Sequence, residues 1–190
     1  MPSTQSSSTG SEPARPNRGQ AIRYLAVVLI VLAVPISLVV RRALQSEARV
    51  DPLHSGPAPA FTLQSLDGQT VSLADFRGVP LVLNFWGAWC EQCRLQLPLL
   101  AEMKRRFPAV PIIGILFRED PETGRATAEY SGATWPTLFD PGEKVAAAYG
   151  VDGAPVTFFI RPDGTIAGDL VGPVSTGILQ KQFEKISPQG

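Results

Sequence analysis

The soluble part of the chain alternates short apolar runs with longer amphipathic stretches. Residues 81–85, Leu-Val-Leu-Asn-Phe, form a near-continuous apolar run, as expected of a strand buried on both faces. Pro111 to Phe117 and Val156 to Ile160 have the same character. Between the first two runs, Leu95, Leu99 and Met103 recur at four-residue spacing, which predicts a helix from about Cys90 to Phe107, kinked at Pro98. Pro121 opens a second predicted helix to Ser131. A short strand at 137–139 and a short helix from Glu143 to Tyr149, stopped by Gly150, come next.

Turn chemistry supplies the remaining joints. Asp67-Gly68 lies between Phe61-Thr62-Leu63 and Thr70-Val71-Ser72-Leu73, a hairpin signal. Arg161-Pro162-Asp163-Gly164 joins strands 156–160 and 165–171 in a second hairpin. Ser175 is placed to cap a last helix to about Lys185. Strands alternating with helices, followed by a hairpin, imply an α/β domain with a mixed central sheet and helices on both faces.

The N-terminal quarter has a different pattern. Residues 1–20 are rich in Ser and Pro and too polar to pack, so they read as a disordered tail. Residues 24–40 carry no charge and are almost all aliphatic. As a helix they span roughly 26 Å, slightly short of the hydrocarbon core, and Arg23, Arg41 and Arg42 can snorkel to make up the difference. One transmembrane anchor is expected over 21–42, a linker over 43–56, and a folded domain over 57–187. A cleaved signal peptide is the alternative, but Arg41 and Arg42 separate the apolar run from Ser46-Glu47-Ala48. Arginines flank the span evenly, so charge does not orient it.

The 190 residues carry a formal net charge of zero, and nothing electrostatic points to nucleic acid. The 44% apolar content supports a core of ordinary size. Composition changes the picture at one place: the only two cysteines stand in Trp89-Cys90-Glu91-Gln92-Cys93, where strand gives way to helix. Two thiols at that spacing read as a redox-active dithiol. The first turn of a helix favours an anion, so Cys90 is the expected attacking thiolate, and Cys93, one turn in, the resolving thiol. A structural zinc needs about four ligands, and beyond the two cysteines the chain has one histidine, His54, in the linker, so no metal is expected. No Gly-x-Gly-x-x-Gly or phosphate loop is present, and no cofactor is expected beyond the Cys90–Cys93 disulfide itself. A membrane-tethered dithiol makes sense facing an oxidising compartment, which places the domain on the extracytoplasmic (periplasmic) side of the cell membrane.

The segment Asn84-Phe85-Trp86-Gly87-Ala88-Trp89-Cys90-Glu91-Gln92-Cys93-Arg94 resembles the active-site segment of thioredoxin-fold proteins, nearest to the membrane-anchored TlpA/ResA/DsbE (CcmG) group. Pro57 to Leu63 with Asp67-Gly68 and Val71-Ser72-Leu73 resembles that group's added N-terminal hairpin. Trp135 to Asp140 resembles its middle strand, and Tyr149 to Ile160 the loop carrying its cis-proline. The resemblance implies a thioredoxin-like fold and a thiol-disulfide oxidoreductase. It implies that Pro155 is cis and faces the dithiol, with Ala154 presenting backbone to an extended client and Trp89 shielding the thiols. It also implies partners: disulfide-bearing exported proteins, apocytochrome c among them, and a membrane dithiol electron donor.

Two positions depart from the group, and a third, shared with the TlpA group, departs from soluble thioredoxin. Gln92 stands where many relatives have proline between the cysteines, and Glu91 and Gln92 are expected to tune the redox potential. Gln96 replaces a glutamate three residues after the second cysteine, and a neutral amide cannot move the resolving thiol's proton as a carboxylate does. Asn84 stands where soluble thioredoxin has a buried aspartate, and Glu91 is the nearest remaining carboxylate along the chain. Peroxiredoxins share the fold, so a thiol peroxidase is an alternative function; they carry a threonine three residues before the reactive cysteine, where this chain has Gly87. A non-catalytic apocytochrome-binding or chaperone module is the third.

Overall fold

The computed structural model describes residues 56–187, and before them only residues 31, 33 and 34. The chain divides into two units, 1–46 and 47–190. In the first, Val31, Ala33 and Val34 are helical and exposed. Apart from Gly56, the rest of the expected tail, anchor and linker, including His54, lies outside the described residues. No helix among the described residues is long and apolar enough to cross a membrane.

Among the described residues of the second unit, eight strands form one sheet, in the order β1-β8-β7-β4-β5-β6-β2-β3. The strands are β1 (Gly56–Pro57), β2 (Thr62–Ser65), β3 (Thr70–Ser72), β4 (Leu81–Trp86), β5 (Ile112–Leu116), β6 (Thr137–Phe139), β7 (Val156–Ile160) and β8 (Thr165–Val171). The helices are α1 (Glu91–Arg106), α2 (Pro121–Tyr130), α3 (Lys144–Ala148) and α4 (Thr176–Ile186). β4 runs parallel to β5 and antiparallel to β7, and β5 runs parallel to β6, so the sheet is mixed as expected.

Strand alternation separates two cores. Leu81, Leu83 and Phe85 of β4, Ile113 and Ile115 of β5, and Val156, Phe158 and Ile160 of β7 point to one face. That face is covered by α3, by Tyr149 and by the N-terminal segment with Phe61 and Val71. Val82, Trp86, Ile112, Leu116 and Phe159 point to the other, where α1, α2 and α4 pack. Tyr149 stacks edge-on against Phe158, with ring centroids 5.0 Å apart, and donates its hydroxyl to the carbonyl of Pro59 at 2.9 Å. Burial pushes its phenol well above the usual value of about 10.

Pro98 lies inside α1, as expected. Three local expectations are revised. The buried stripe of α1 is Cys93, Gln96, Leu97, Leu100 and Met103, not Leu95, Leu99 and Met103; Leu95 is 61% exposed. Cys93 sets the phase of that helix by turning into the core. Ser175 occupies the N-cap of α4 but makes no side-chain capping bond. Gly56 leaves the linker: with Pro57 it pairs to Ile166 and Thr165 of β8, and a 3-10 turn at Leu73–Phe76 follows β3 with Ser72 and Asp75 forming its capping box.

Candidate active site

β4 ends at Trp86, and the chain turns through Gly87, Ala88 and Trp89 before α1 begins. Cys90 is the N-cap residue of α1. Its N–H donates to the Gly87 carbonyl at 3.2 Å, and its own carbonyl takes the first helical bond, from Arg94 N–H at 3.2 Å. The extended backbone of an N-cap aims the side chain back over the helix start. Cys90 Sγ therefore accepts from Cys93 N–H at 3.1 Å. Cys90 and Cys93 are joined in a disulfide. Cys90 is 7% exposed and Cys93 fully buried, so an incoming reactant reaches Cys90 first. When the disulfide is opened, the same N–H and the positive end of the α1 dipole favour a thiolate at Cys90.

Across the sulfur lies the loop before β7. The Ala154–Pro155 peptide bond is cis. The Ala154 carbonyl oxygen is 3.5 Å from Cys90 Sγ. Glu91 and Gln92, between the cysteines, are both exposed.

Trp89 forms the flank of the site and is 54% exposed. Its Nε1–H donates to the Phe117 carbonyl at 3.1 Å, and its ring tilts against Phe117 at 6.4 Å between centroids. Gly87 is what allows this. A Cβ at residue 87 would overlap the Trp89 indole nitrogen and sit 2.8 Å from the Phe117 oxygen. A threonine at that position, as in the peroxidase pattern, has no room in this arrangement.

Below the disulfide, on the face covered by α1, the sheet carries a polar row where apolar residues would otherwise continue. Thr157, Asn84, Gly114 and Thr137 are in register across β7, β4, β5 and β6. Asn84 Nδ2 donates to Thr157 Oγ1 at 2.9 Å and to Gln96 Oε1 at 3.2 Å. Gln96 Nε2 is 3.3 Å from Thr157 Oγ1. All three residues are buried, and none is ionisable. Gly114 adds space to the row: a Cβ there would come within 2.8 Å of Trp86 Nε1 and 3.1 Å of Thr137 Oγ1. The amides singled out in the sequence thus meet one another, through a partner, Thr157, that the sequence did not suggest.

The sequence also did not suggest Glu119, three residues past the end of β5. Its Oε2 accepts from Ala88 N–H at 2.8 Å, two residues before Cys90. In sequence it looks like part of the capping signal of α2, because Asp120 and Pro121 follow. Asp120 does cap α2, accepting from Glu122 N–H and Thr123 N–H, and those bonds, Thr123 foremost, hold its carboxyl below the usual range. Among the described residues no three His, Cys, Asp or Glu side chains converge to hold a metal ion.

The geometry has counterparts among known proteins. The profile of the AhpC/TSA family matches residues 55–168. The thiol-disulfide oxidoreductase ResA of Geobacillus thermodenitrificans is 32% identical over 133 residues, which cover 69% of this chain and 76% of the relative. A secreted Mycobacterium tuberculosis disulfide oxidoreductase, homologous to the DsbE of E. coli, superposes with a TM-score of 0.62 at 28% identity, covering 66% of this chain and 95% of the other. The thioredoxin domain of a thiol-disulfide oxidoreductase from Bacteroides vulgatus superposes with a TM-score of 0.63 at 26% identity, covering 72% and 99%.

Proposed function

From the premise that this chain belongs to the AhpC/TSA family and is a thioredoxin-like thiol-disulfide oxidoreductase of the ResA/DsbE type, we propose that it is a membrane-tethered reductase of disulfides in exported proteins, apocytochrome c among them. The single observation that carries the chemistry is the asymmetry of the pair. Cys90 is at the mouth of the site and at the helix N-cap, while Cys93 is buried one turn behind it.

In the reduced enzyme the Cys90 thiolate attacks one sulfur of a client disulfide. A Cys90–client S–S bond forms, the client S–S bond breaks, and one client sulfur leaves as thiolate. Cys93 loses its proton and attacks Cys90 Sγ. The mixed disulfide breaks, the second client thiolate is released, and Cys90–Cys93 closes. Two electrons pass to the client, and both client sulfurs take up protons. A membrane dithiol donor then repeats the exchange in the opposite sense and regenerates the thiols. No added cofactor is invoked.

In this proposal the Ala154 backbone, held beside Cys90 by the turn into Pro155, pairs with an extended client, and Trp89 supplies an apolar wall. Glu91 and Gln92, in the first turn of α1, face solvent and tune the potential from its exposed side. The Asn84–Gln96–Thr157 network lies beneath the pair without a charge, so no carboxylate of that network takes the Cys93 proton. The charge-free stretch 24–40 supports tethering, and the M. tuberculosis counterpart, described as secreted, supports an extracytoplasmic domain. The peroxidase alternative fits less well, because the space a threonine would need at 87 is taken by Trp89 and the Phe117 carbonyl.

Cys93→Ser tests the proposal. Expressed as the full chain, it is expected to accumulate mixed disulfides through Cys90 with exported proteins, and these disappear in Cys90→Ser/Cys93→Ser. Absence of any Cys90-linked adduct, or peroxide turnover that survives loss of Cys93, would overturn it.

A further inference from the structure

The turn that delivers Cys90 is fastened to the segment after β5 at three points. Phe117 N–H donates to the Trp86 carbonyl at 2.8 Å, extending the β4–β5 pairing by one rung. Trp89 Nε1–H donates to the Phe117 carbonyl at 3.1 Å. Ala88 N–H donates to Glu119 Oε2 at 2.8 Å. From the segment after β5, the first two use only the backbone of residue 117, the second reached by the Trp89 indole. The third depends on a side chain of that segment, Glu119, which holds the middle of the turn.

We propose that Glu119 is a positioning residue for the exchange reaction, acting on Cys90 through the Ala88 amide; the inference rests on the oxidoreductase function proposed above. Its carboxylate is itself fixed, because Oε1 accepts from Asp120 N–H at 3.1 Å while Oε2 holds Ala88. Arg118 contributes by conformation. It adopts φ 52°, in the left-handed region, its guanidinium lies 4.6 Å over the Phe117 ring, and its Nε pairs with Glu143 Oε2 at 3.1 Å. The chain thus leaves β5 through a defined bend that brings the next side chain, Glu119, back toward Ala88.

The consequence for chemistry follows from reach. Cys90 must hold its sulfur against Cys93 N–H on one side and near the Ala154 carbonyl on the other. Misplacing a reacting atom by about 1 Å costs on the order of a hundredfold in rate. A charge-assisted bond to a backbone N–H is among the stronger restraints available to a surface turn. It also occupies the Ala88 amide, so that donor is not offered to an anionic reactant.

The test compares Glu119→Ala with Glu119→Gln in the full chain. The readouts are the rate of Cys90 exchange with a small aromatic disulfide, the pH profile of Cys90 alkylation, and amide hydrogen exchange at Ala88. The Ala variant is expected to exchange about tenfold more slowly and to lose Ala88 protection. The Gln variant, which keeps an acceptor oxygen, is expected within about threefold of the parent, with an unshifted alkylation profile. An Ala variant as fast as the parent would overturn the proposal. So would a Gln variant as slow as Ala with a shifted profile, since the charge and not the position would then be acting. Should the Ala variant not fold, the parent alone decides: an Ala88 amide that exchanges at the rate of an open loop removes the restraint on which everything rests. Failure of the parent to exchange at Cys90 would sink the oxidoreductase proposal instead, and the Ala88 measurement would still stand.

Discussion

Replacing Gly87 by alanine adds one methyl group at the most crowded point of the site. The backbone there is not left-handed, so alanine meets no conformational barrier. The added carbon would lie 2.8 Å from the Phe117 oxygen, against 3.4 Å or more for an ordinary contact, and would overlap the Trp89 indole. The carbonyl cannot simply retreat, because the N–H of the same residue is bonded to Trp86 at 2.8 Å. The indole therefore swings out and loses its bond to Phe117, about 1 kcal/mol. Residual crowding of the turn costs about 1–3 kcal/mol. The narrower unfolded ensemble of alanine offsets about 0.4–1 kcal/mol. The net loss is about 1–3.6 kcal/mol. For a folded unit of about 130 residues, with an unfolding entropy of about 2.1 cal/mol/K per residue, the melting temperature falls by about 4–13 °C. Thermal unfolding followed by circular dichroism measures the shift. Tryptophan fluorescence follows the indole, since Trp89 is half exposed while Trp86 and Trp135 are buried. A variant that melts within 1 °C of the parent, with the same emission, would refute the claim that Gly87 is dictated by Trp89.

Two further outcomes are expected. Gln96→Glu places a carboxyl in a buried, uncharged network, and burial raises its folded pKa above the unfolded value of about 4.3. Its stability relative to the parent is then highest at pH 4 and falls as pH rises, reaching a deficit of about 3 kcal/mol at pH 8; a melting-temperature gap that does not change between those pH values contradicts this. Tyr149→Phe removes the bond to Pro59 and costs about 1 kcal/mol at neutral pH. Because the folded phenol titrates above the unfolded one, the parent loses stability as pH rises past about 10. Denaturant melts at pH 8 and pH 11 should therefore converge for the two proteins; a constant difference would show that the buried hydroxyl is not the titrating group.

What the sequence made legible was whatever repeats locally. The near-continuous apolar run 81–85, the bounds of β7 and β8, and the Asp67-Gly68 and Asp163-Gly164 turns are local signals, and each element is where they point. The cysteine spacing announced the dithiol for the same reason. The phase of α1 was misjudged because Leu95, Leu99 and Met103 form as good a stripe as the true one. Only the burial of Cys93 and Gln96 beneath the turn decides between them, and that is tertiary. β1 escaped because two residues, one a proline, have no alternation to show; their strand character is borrowed from β8. Glu119 escaped because its partner is a backbone N–H 31 positions away. Asn84 in the middle of an apolar strand was a usable warning, since a buried amide needs partners, but nothing in the chain named Thr157 as one of them.

The sheet order carries a consequence for handling the protein. β3 lies at one margin of the sheet and β1 at the other, and both come from the first seventeen positions of the described domain, 56–72. One short stretch of chain thus seals two margins on opposite sides. A truncation that trims the N-terminus a few residues past Gly56 uncovers β8, and one that runs on past Ser72 uncovers β6 as well. Unpaired margins of that kind recruit other chains into intermolecular pairing.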